Sequence, residues 1–133
     1  MIRVLVVDDH QTVRAAVLQL LASTDGLSVV GEARDGRQAL ELAELVAPDV
    51  VLMDLTMPNM SGIEATRRLT GEHPEARVLI FSAAVGRDVV RAAREAGAVG
   101  FLPKGSREAK LIRAIREVGA GRSAWPTWVK HVR

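Results

Sequence analysis

The chain contains no cysteine, which removes a disulfide framework, a thiol nucleophile and a zinc knuckle together. At 133 residues it is one domain's worth of chain, and a core of that size stands without such staples. Long apolar runs are missing too. The longest stretch free of Asp, Glu, Lys and Arg is residues 15–24, well short of the ~18 to 20 apolar residues a membrane-spanning helix requires. The N-terminus offers one cation, Arg3, and four apolar residues before Asp8, too few for the ~7 to 15 of a secretory signal core. A cytoplasmic protein with no membrane partner is expected. With 48% hydrophobic and 26% charged residues, disorder, collagen and coiled coil are excluded as well.

What is present is electrically two-sided. Residues 1–75 hold six Arg/Lys against twelve Asp/Glu, a net −6, while residues 76–133 hold twelve against four, a net +8. An acidic half suits a cation or a cationic partner, and a basic half steers acidic molecules to one surface.

Short β-branched runs alternate with helical patterns along the chain. Strands are expected at residues 3–7, 27–33, 50–53, 78–81 and 99–102. Between and after them, apolar spacing predicts a helix through Val13, Val17, Leu20 and Leu21, then helices near 36–46, 62–69, 87–96 and 107–118. Within the first, third and fourth strands, residues 4–7, 50–53 and 78–81 are continuously apolar, as parallel strands covered on both faces must be. The expected fold is therefore α/β, a doubly wound five-stranded parallel sheet of (βα)₅ type. Right-handed crossovers then set the functional crevice at the carboxyl ends of the strands, where strand order reverses.

Those ends carry Asp8, Asp9 and His10 after the first strand, Asp54 after the third, Ser82 after the fourth and Lys104 after the fifth. In a sheet ordered 2-1-3-4-5 the first and third strands are neighbours, so three carboxylates meet with a hydroxyl and an ammonium nearby. Two anions ~4 Å apart cost about 4 kcal/mol at an effective dielectric near 20. An all-oxygen acidic site of this kind suits Mg²⁺, with Mn²⁺ as its substitute, sharing its shell with phosphate oxygens. Asp54, at the mouth of a buried strand, is the candidate nucleophile toward a phosphoryl group, Asp8 and Asp9 the metal ligands, and Lys104 and Ser82 the donors to phosphoryl oxygens. Taken singly each residue has a plainer reading. Asp9 fits the N-cap of the helix beginning near Gln11, Ser82 a turn residue, Lys104 a solvated charge, and His10 a helix-start residue rather than a ligand. Their joint placement at four strand ends of one sheet favours the chemical reading.

The segments Val-Val-Asp-Asp-His (6–10), Met-Asp-Leu-Thr-Met-Pro-Asn-Met-Ser-Gly (53–62), Phe-Ser-Ala (81–83) and Gly-Ala-Val-Gly-Phe-Leu-Pro-Lys (97–104) resemble the receiver domain of two-component response regulators, the CheY-like variant of the flavodoxin-like fold. Asp-Asp-His together with residues 29–42 is similar to the NarL/FixJ (LuxR-type) subgroup. The resemblance runs from about residue 2 to 119 and implies a receiver domain over 1–120, with 121–133 as a tail or the start of a linker. It implies Asp54 as phosphoacceptor, Asp8, Asp9, Asp54 and the Thr56 backbone carbonyl as the Mg²⁺ shell, Lys104 as the phosphate contact, and Ser82 with Phe101 as a switch pair. Phe101 alone reads as a packing aromatic, and without a hydroxyl it can switch only through burial. Thr56 and Ala84, two positions beyond Asp54 and Ser82, border the approach of hydrolytic water and are expected to tune phosphate lifetime. Two departures stand out. Pro103 precedes Lys104 and Gly105 follows it, where many receivers carry proline directly after the lysine; and few residues follow position 120, so DNA would be reached only through an output domain absent from this chain.

The implied function is Mg²⁺-dependent phosphoryl acceptance from a sensor histidine kinase, in the service of transcription regulation, by a protein that is not an enzyme acting on free substrates. Phosphorylation would switch the surface of the fourth helix, fifth strand and fifth helix, where Arg87, Arg91 and Arg94 line one helix and Arg107, Lys110 and Arg113 the next. That surface would serve a homodimer or an output domain, or remain a solvated charged face. A stand-alone receiver signalling by protein contact and a pseudo-receiver that takes no phosphate are the alternatives. A dehalogenase-like phosphatase lacks support because His10 stands where its Asp-x-Asp pattern needs a second aspartate, and a dinucleotide enzyme lacks Gly-x-Gly-x-x-Gly. Trp125 and Trp128, two of only four aromatics, suggest that the tail packs on something rather than frays.

Overall fold

The computed structural model describes residues 1–131. Five strands alternate with five helices: β1 (Ile2–Val7), α1 (Gln11–Ala22), β2 (Leu27–Ala33), α2 (Gly36–Val46), β3 (Val50–Met53), α3 (Gly62–Glu72), β4 (Arg77–Ser82), α4 (Arg87–Ala96), β5 (Gly100–Pro103) and α5 (Glu108–Gly119), followed by a 3₁₀ turn at Thr127–His131. All strand pairs are parallel and ordered β2-β1-β3-β4-β5. This is the expected architecture. No helix among the described residues is long and apolar enough to cross a membrane.

The continuously apolar strands are explained by two cores, one on each face of the sheet. Because successive strand side chains point to opposite faces, Leu5, Val7, Val51, Met53, Val78 and Ile80 pack with Ala39, Ala43, Ala65, Leu69, Val90 and Ala93 of α2, α3 and α4. Their neighbours Val4, Val6, Val50, Leu52, Leu79 and Phe81 pack with Val17, Leu21, Leu111, Ile115 and Val118 of α1 and α5. Each of these strands thus feeds both layers, and their polar residues lie at or near the ends.

Local capping sets where the helices begin. Asp35 accepts from the Gln38 amide, and the Gln38 side chain accepts in return from the Arg34 amide, a reciprocal capping arrangement at the start of α2. Ser61 accepts from the Glu64 amide at the start of α3. Helix α1 behaves differently: its N-cap residue is His10, and no side chain caps it. Asp9 therefore does not perform the capping role open to it in the sequence. Helix α3 runs to Glu72, three residues past the last apolar position of its sequence pattern, and the Thr70 hydroxyl donates to the Thr66 carbonyl within that last turn.

Beyond α5 the chain folds back along the outer edge of β5. The Ala124 amide donates to the Val99 carbonyl at 3.0 Å and the Ala124 carbonyl accepts from the Phe101 amide at 2.9 Å, an isolated parallel bridge opposite Gly100. A side chain at Gly100 would lie 2.8 Å from the Ala124 carbonyl oxygen, so the close approach needs glycine. Val129 is buried, Trp125 packs against the core layer beneath α4, and the Arg94 guanidinium lies 5.9 Å from the Trp125 ring centre. The tail packs, as its tryptophans suggested.

Candidate functional site

The register of the sheet brings the strand ends together. Val7 of β1 pairs with Met53 of β3, and Met53 with Ile80 of β4, so the chain leaves β1 and β3 side by side. The Asp54 amide donates to the Val7 carbonyl at 3.0 Å, and the Asp8 amide to the Ala33 carbonyl at 3.0 Å. Both aspartates are thereby held by backbone at the last rung of the ladder. Asp8 and Asp54 are 3% and 2% exposed, and among the described residues the other buried polar ones are Arg14, Thr66 and Ser82.

Lys104 closes the opposite side. Its ammonium lies 2.8 Å from Asp8 Oδ2 and 3.4 Å from Asp54 Oδ1, and its backbone amide donates to the Ser82 carbonyl at 2.9 Å. Proline before the lysine does not keep it from the crevice; the chain turns directly afterwards, with the Ser106 amide donating to the Pro103 carbonyl. One cation against a cluster of carboxylates leaves the pocket negative. Desolvation by burial, reinforced by the charge of Asp8, pushes the Asp54 carboxyl above the usual carboxylate range, and Lys104 opposes this only in part.

The other Asp54 oxygen, Oδ2, is buried and accepts no hydrogen bond. A carboxylate oxygen withdrawn from water without a donor is costly, and such an atom in a pocket of like charges is what a cation or an electrophile would complete. One ligand atom from each of Asp8, Asp9, His10 and Asp54 lies within 4.8 Å of the others. The carboxylate oxygens of that set fit a hard divalent cation.

Ser82 is fully buried at the end of β4, where its hydroxyl oxygen accepts from the Ala84 amide at 3.0 Å. Phe101 lies one strand away, buried on the face covered by α2, α3 and α4 and tied by its amide to Ala124. It is not part of the carboxylate pocket. Thr56 and Ala84 are exposed residues two positions past Asp54 and Ser82.

Three residues touch the site in ways that the sequence pattern does not show. His10 was read as a helix-start residue, and it is the N-cap of α1, yet its Nδ1 also lies 3.0 Å from Asp8, 3.2 Å from Asp9 and 3.7 Å from Asp54. Arg14 is buried; its guanidinium donates to the Asp8 carbonyl at 2.6 Å and to Glu32 at 2.9 Å, bracing the turn that carries Asp8. The available signal was a cation three residues before Val17 and seven before Leu21, on the apolar stripe of α1. Gly62 matters through what it lacks. A Cβ there would stand 2.0 Å from the Asp54 carbonyl oxygen, and its amide donates to Leu55 at 2.9 Å, so α3 starts in direct contact with the backbone of the acidic loop.

Comparison with known proteins agrees with this geometry. A family model described as the response regulator receiver domain matches residues 4–116. The response regulator GacA of Pseudomonas viridiflava is 46% identical over 121 residues, covering 91% of this chain and 56% of that protein. The chain thus spans little more than half the length of the curated relatives it matches. Among solved structures, a LuxR-family two-component response regulator from Aurantimonas sp. superposes with a TM-score of 0.91 at 40% identity, over 98% of this chain and 93% of the other. The receiver domain of the response regulator NarL from Mycobacterium tuberculosis superposes at 0.88 with 38% identity, over 91% and 98%.

Proposed function

The chain belongs to the response regulator receiver family, of the NarL/LuxR type, and from that membership we propose that it accepts a phosphoryl group on Asp54 from a sensor histidine kinase. The observation that carries this is the buried Asp54 oxygen without a donor, set among Asp8, Asp9 and Lys104. In the transfer the carboxylate oxygen forms a bond to phosphorus as the bond from phosphorus to the kinase imidazole nitrogen breaks, and the product is an acyl phosphate. Burial serves this step, because a poorly solvated carboxylate sheds little water before it attacks.

Asp8, Asp9 and Asp54, with the Thr56 carbonyl, would hold Mg²⁺, and Mn²⁺ is a competent substitute. A divalent cation there offsets the crowded carboxylates and withdraws charge from the phosphoryl oxygens. Lys104, already within ion-pair reach of Asp54, supplies a fixed ammonium to the transferred group. Ser82 offers its hydroxyl from the end of β4, and the space it vacates on turning admits the Phe101 ring. Thr56 and Ala84 set how easily water reaches the acyl phosphate. The protein is a phosphoryl acceptor rather than an enzyme acting on free substrates.

The surface of α4, β5 and α5 then carries the signal to a second copy or to an output domain. In the longer relatives' pattern that output is transcription control through a DNA-binding part, and the cysteine-free composition is consistent with a cytoplasmic setting. The test is intact-mass spectrometry after incubation with acetyl phosphate, with and without Mg²⁺. One phosphoryl mass should appear on the native chain with Mg²⁺ and on none of the Asp54→Ala protein. Phosphorylation retained by the variant, or absent from the native chain, overturns the reading.

A further inference from the structure

We propose that the His10 imidazole is itself a ligand of the cation held by Asp8, Asp9 and Asp54, and that it shifts this site from Mg²⁺ toward Mn²⁺ and the later divalent transition metals. The proposal rests on the acidic pocket being a metal site, and it concerns a residue that an oxygen-only shell leaves out.

The distances are those of neighbouring ligands. Two ligands ~2.1 Å from a common octahedral ion and at right angles to each other are ~3.0 Å apart, and opposite ligands ~4.2 Å apart. His10 Nδ1 stands 3.0 Å from Asp8 Oδ1, a hydrogen bond that ligation would replace by one bond from each group to a common ion, and 3.2 Å from Asp9 Oδ1, with Asp54 Oδ2 at 3.7 Å, between the two limits. Asp54 supplies the second, independent sign of a ligand: its residue is 2% exposed, and the Oδ2 that faces the imidazole accepts no hydrogen bond.

The backbone holds His10 in this position. As the N-cap residue of α1 it has extended torsions, φ −84° and ψ 104°, and its amide donates to Asp8 Oδ1 at 2.8 Å. The turn therefore points Nδ1 at the carboxylates, while the ring stays 57% exposed on the solvent side. An imidazole in that place costs no burial and needs no rearrangement of the loop. Lys104 lies within 2.8 Å of Asp8 Oδ2, the oxygen other than the one His10 approaches, so the ammonium and the proposed ligand use different atoms.

Chemistry gives the direction of the preference. Mg²⁺ selects oxygen ligands and keeps its water, whereas imidazole strengthens binding along the series from Mn²⁺ toward Zn²⁺. Replacing one water of the shell by His10 should leave Mg²⁺ nearly unaffected and tighten the transition ions.

The experiment uses the full chain, stripped of metal, with Mn²⁺ as the probe and His10→Asn and His10→Ala as variants. Pulsed electron paramagnetic resonance of the bound Mn²⁺ should show echo modulation from a directly coordinated ¹⁴N, lost in both variants. In titrations Mn²⁺ affinity should fall about tenfold in each, while Mg²⁺ affinity changes less than about threefold. Bound Mn²⁺ without nitrogen modulation, or variants that bind Mn²⁺ as tightly as the native chain or more tightly, overturn the role of His10 and leave the acidic site standing. Failure of the native chain to bind either ion overturns the metal site itself, and this inference with it.

Discussion

Replacing Asp54 by asparagine keeps the side chain's shape and removes one negative charge from a place water does not reach. The variant should be more stable than the native chain when divalent ions are absent. Ligand atoms of Asp8, Asp9 and Asp54 lie within 4.8 Å of one another, so at an effective dielectric near 20 each like-charged pair costs about 3.5 kcal/mol. Lys104 at 3.4 Å from Asp54 returns about 5 kcal/mol on the same scale. Asp9 is the most exposed of the three, with a side chain 31% exposed, and solvent screening removes much of its share. Repulsion and attraction then nearly balance, and what remains is the burial of a carboxylate oxygen that accepts no hydrogen bond, a penalty on the order of 1–3 kcal/mol. The expected gain is about 2 kcal/mol near neutral pH, or roughly 6 °C in Tm for a domain of this size.

The dependence on pH gives the prediction its sign. The Asp54 carboxyl titrates above the usual carboxylate range, so the folded state holds that proton more tightly than the unfolded chain. Its contribution to stability is present below the unfolded pKa of ~3.9 and is lost as pH rises through the raised folded value. The variant's advantage should therefore be small in acid, grow across that window, and stay level above it. Saturating Mg²⁺ should shrink it again, since an ion at 100 times its Kd stabilises the native chain by about 2.7 kcal/mol. Thermal and urea denaturation followed by circular dichroism, at several pH values with and without Mg²⁺, measure all of this. An asparagine variant no more stable than the native chain in metal-free neutral buffer, or an advantage indifferent to pH, refutes the reasoning.

Gly62→Ala should lower stability by about 2–4 kcal/mol, because its Cβ would stand 2.0 Å from the Asp54 carbonyl oxygen; an unchanged Tm would show that the loop gives way. Lys104→Met should slow phosphoryl uptake from acetyl phosphate about 100-fold, the scale of loss on removing one preorganised donor to developing charge, read from the time course of intact mass; a loss below about threefold would mean the ammonium is dispensable. Trp125→Ala should cost about 2 kcal/mol of packing and speed hydrogen exchange at the Phe101 and Ala124 amides, which bond across the tail; exchange no faster than in the native chain would mean that the tail holds without its indole.

The fold could be read from the chain because its strongest signal is local. Continuously apolar runs at Val4–Val7 and Val50–Met53 serve both faces of the sheet, and their shortness and Val-rich composition mark them as buried parallel strands rather than buried helix. The end of α3 was missed because Thr70 to Glu72 contribute hydroxyl and backbone bonds rather than apolar periodicity. Asp8, Asp9, Asp54 and Lys104 were found because strand ends in this topology converge, and residue type then names the chemistry. Arg14 escaped for a physical reason: it acts through direction, a guanidinium folded under a turn, and direction leaves no mark in composition; the approach of the His10 ring to the carboxylates likewise depends on side-chain direction. Gly62 was visible as a letter, but its need for a missing Cβ depends on how closely α3 approaches the Asp54 backbone.

The bridge between Ala124 and Gly100 has a consequence outside signalling. An open parallel sheet ends in two unsatisfied borders, each a template onto which a foreign strand can add. Here the β5 border is occupied by the chain's own return segment, which takes up the Val99 carbonyl and the Phe101 amide. Loss of that segment would uncover hydrogen-bonding groups beside a large aromatic, and self-association of such a truncated protein would then begin at β5, with β2 as the remaining free border of the sheet.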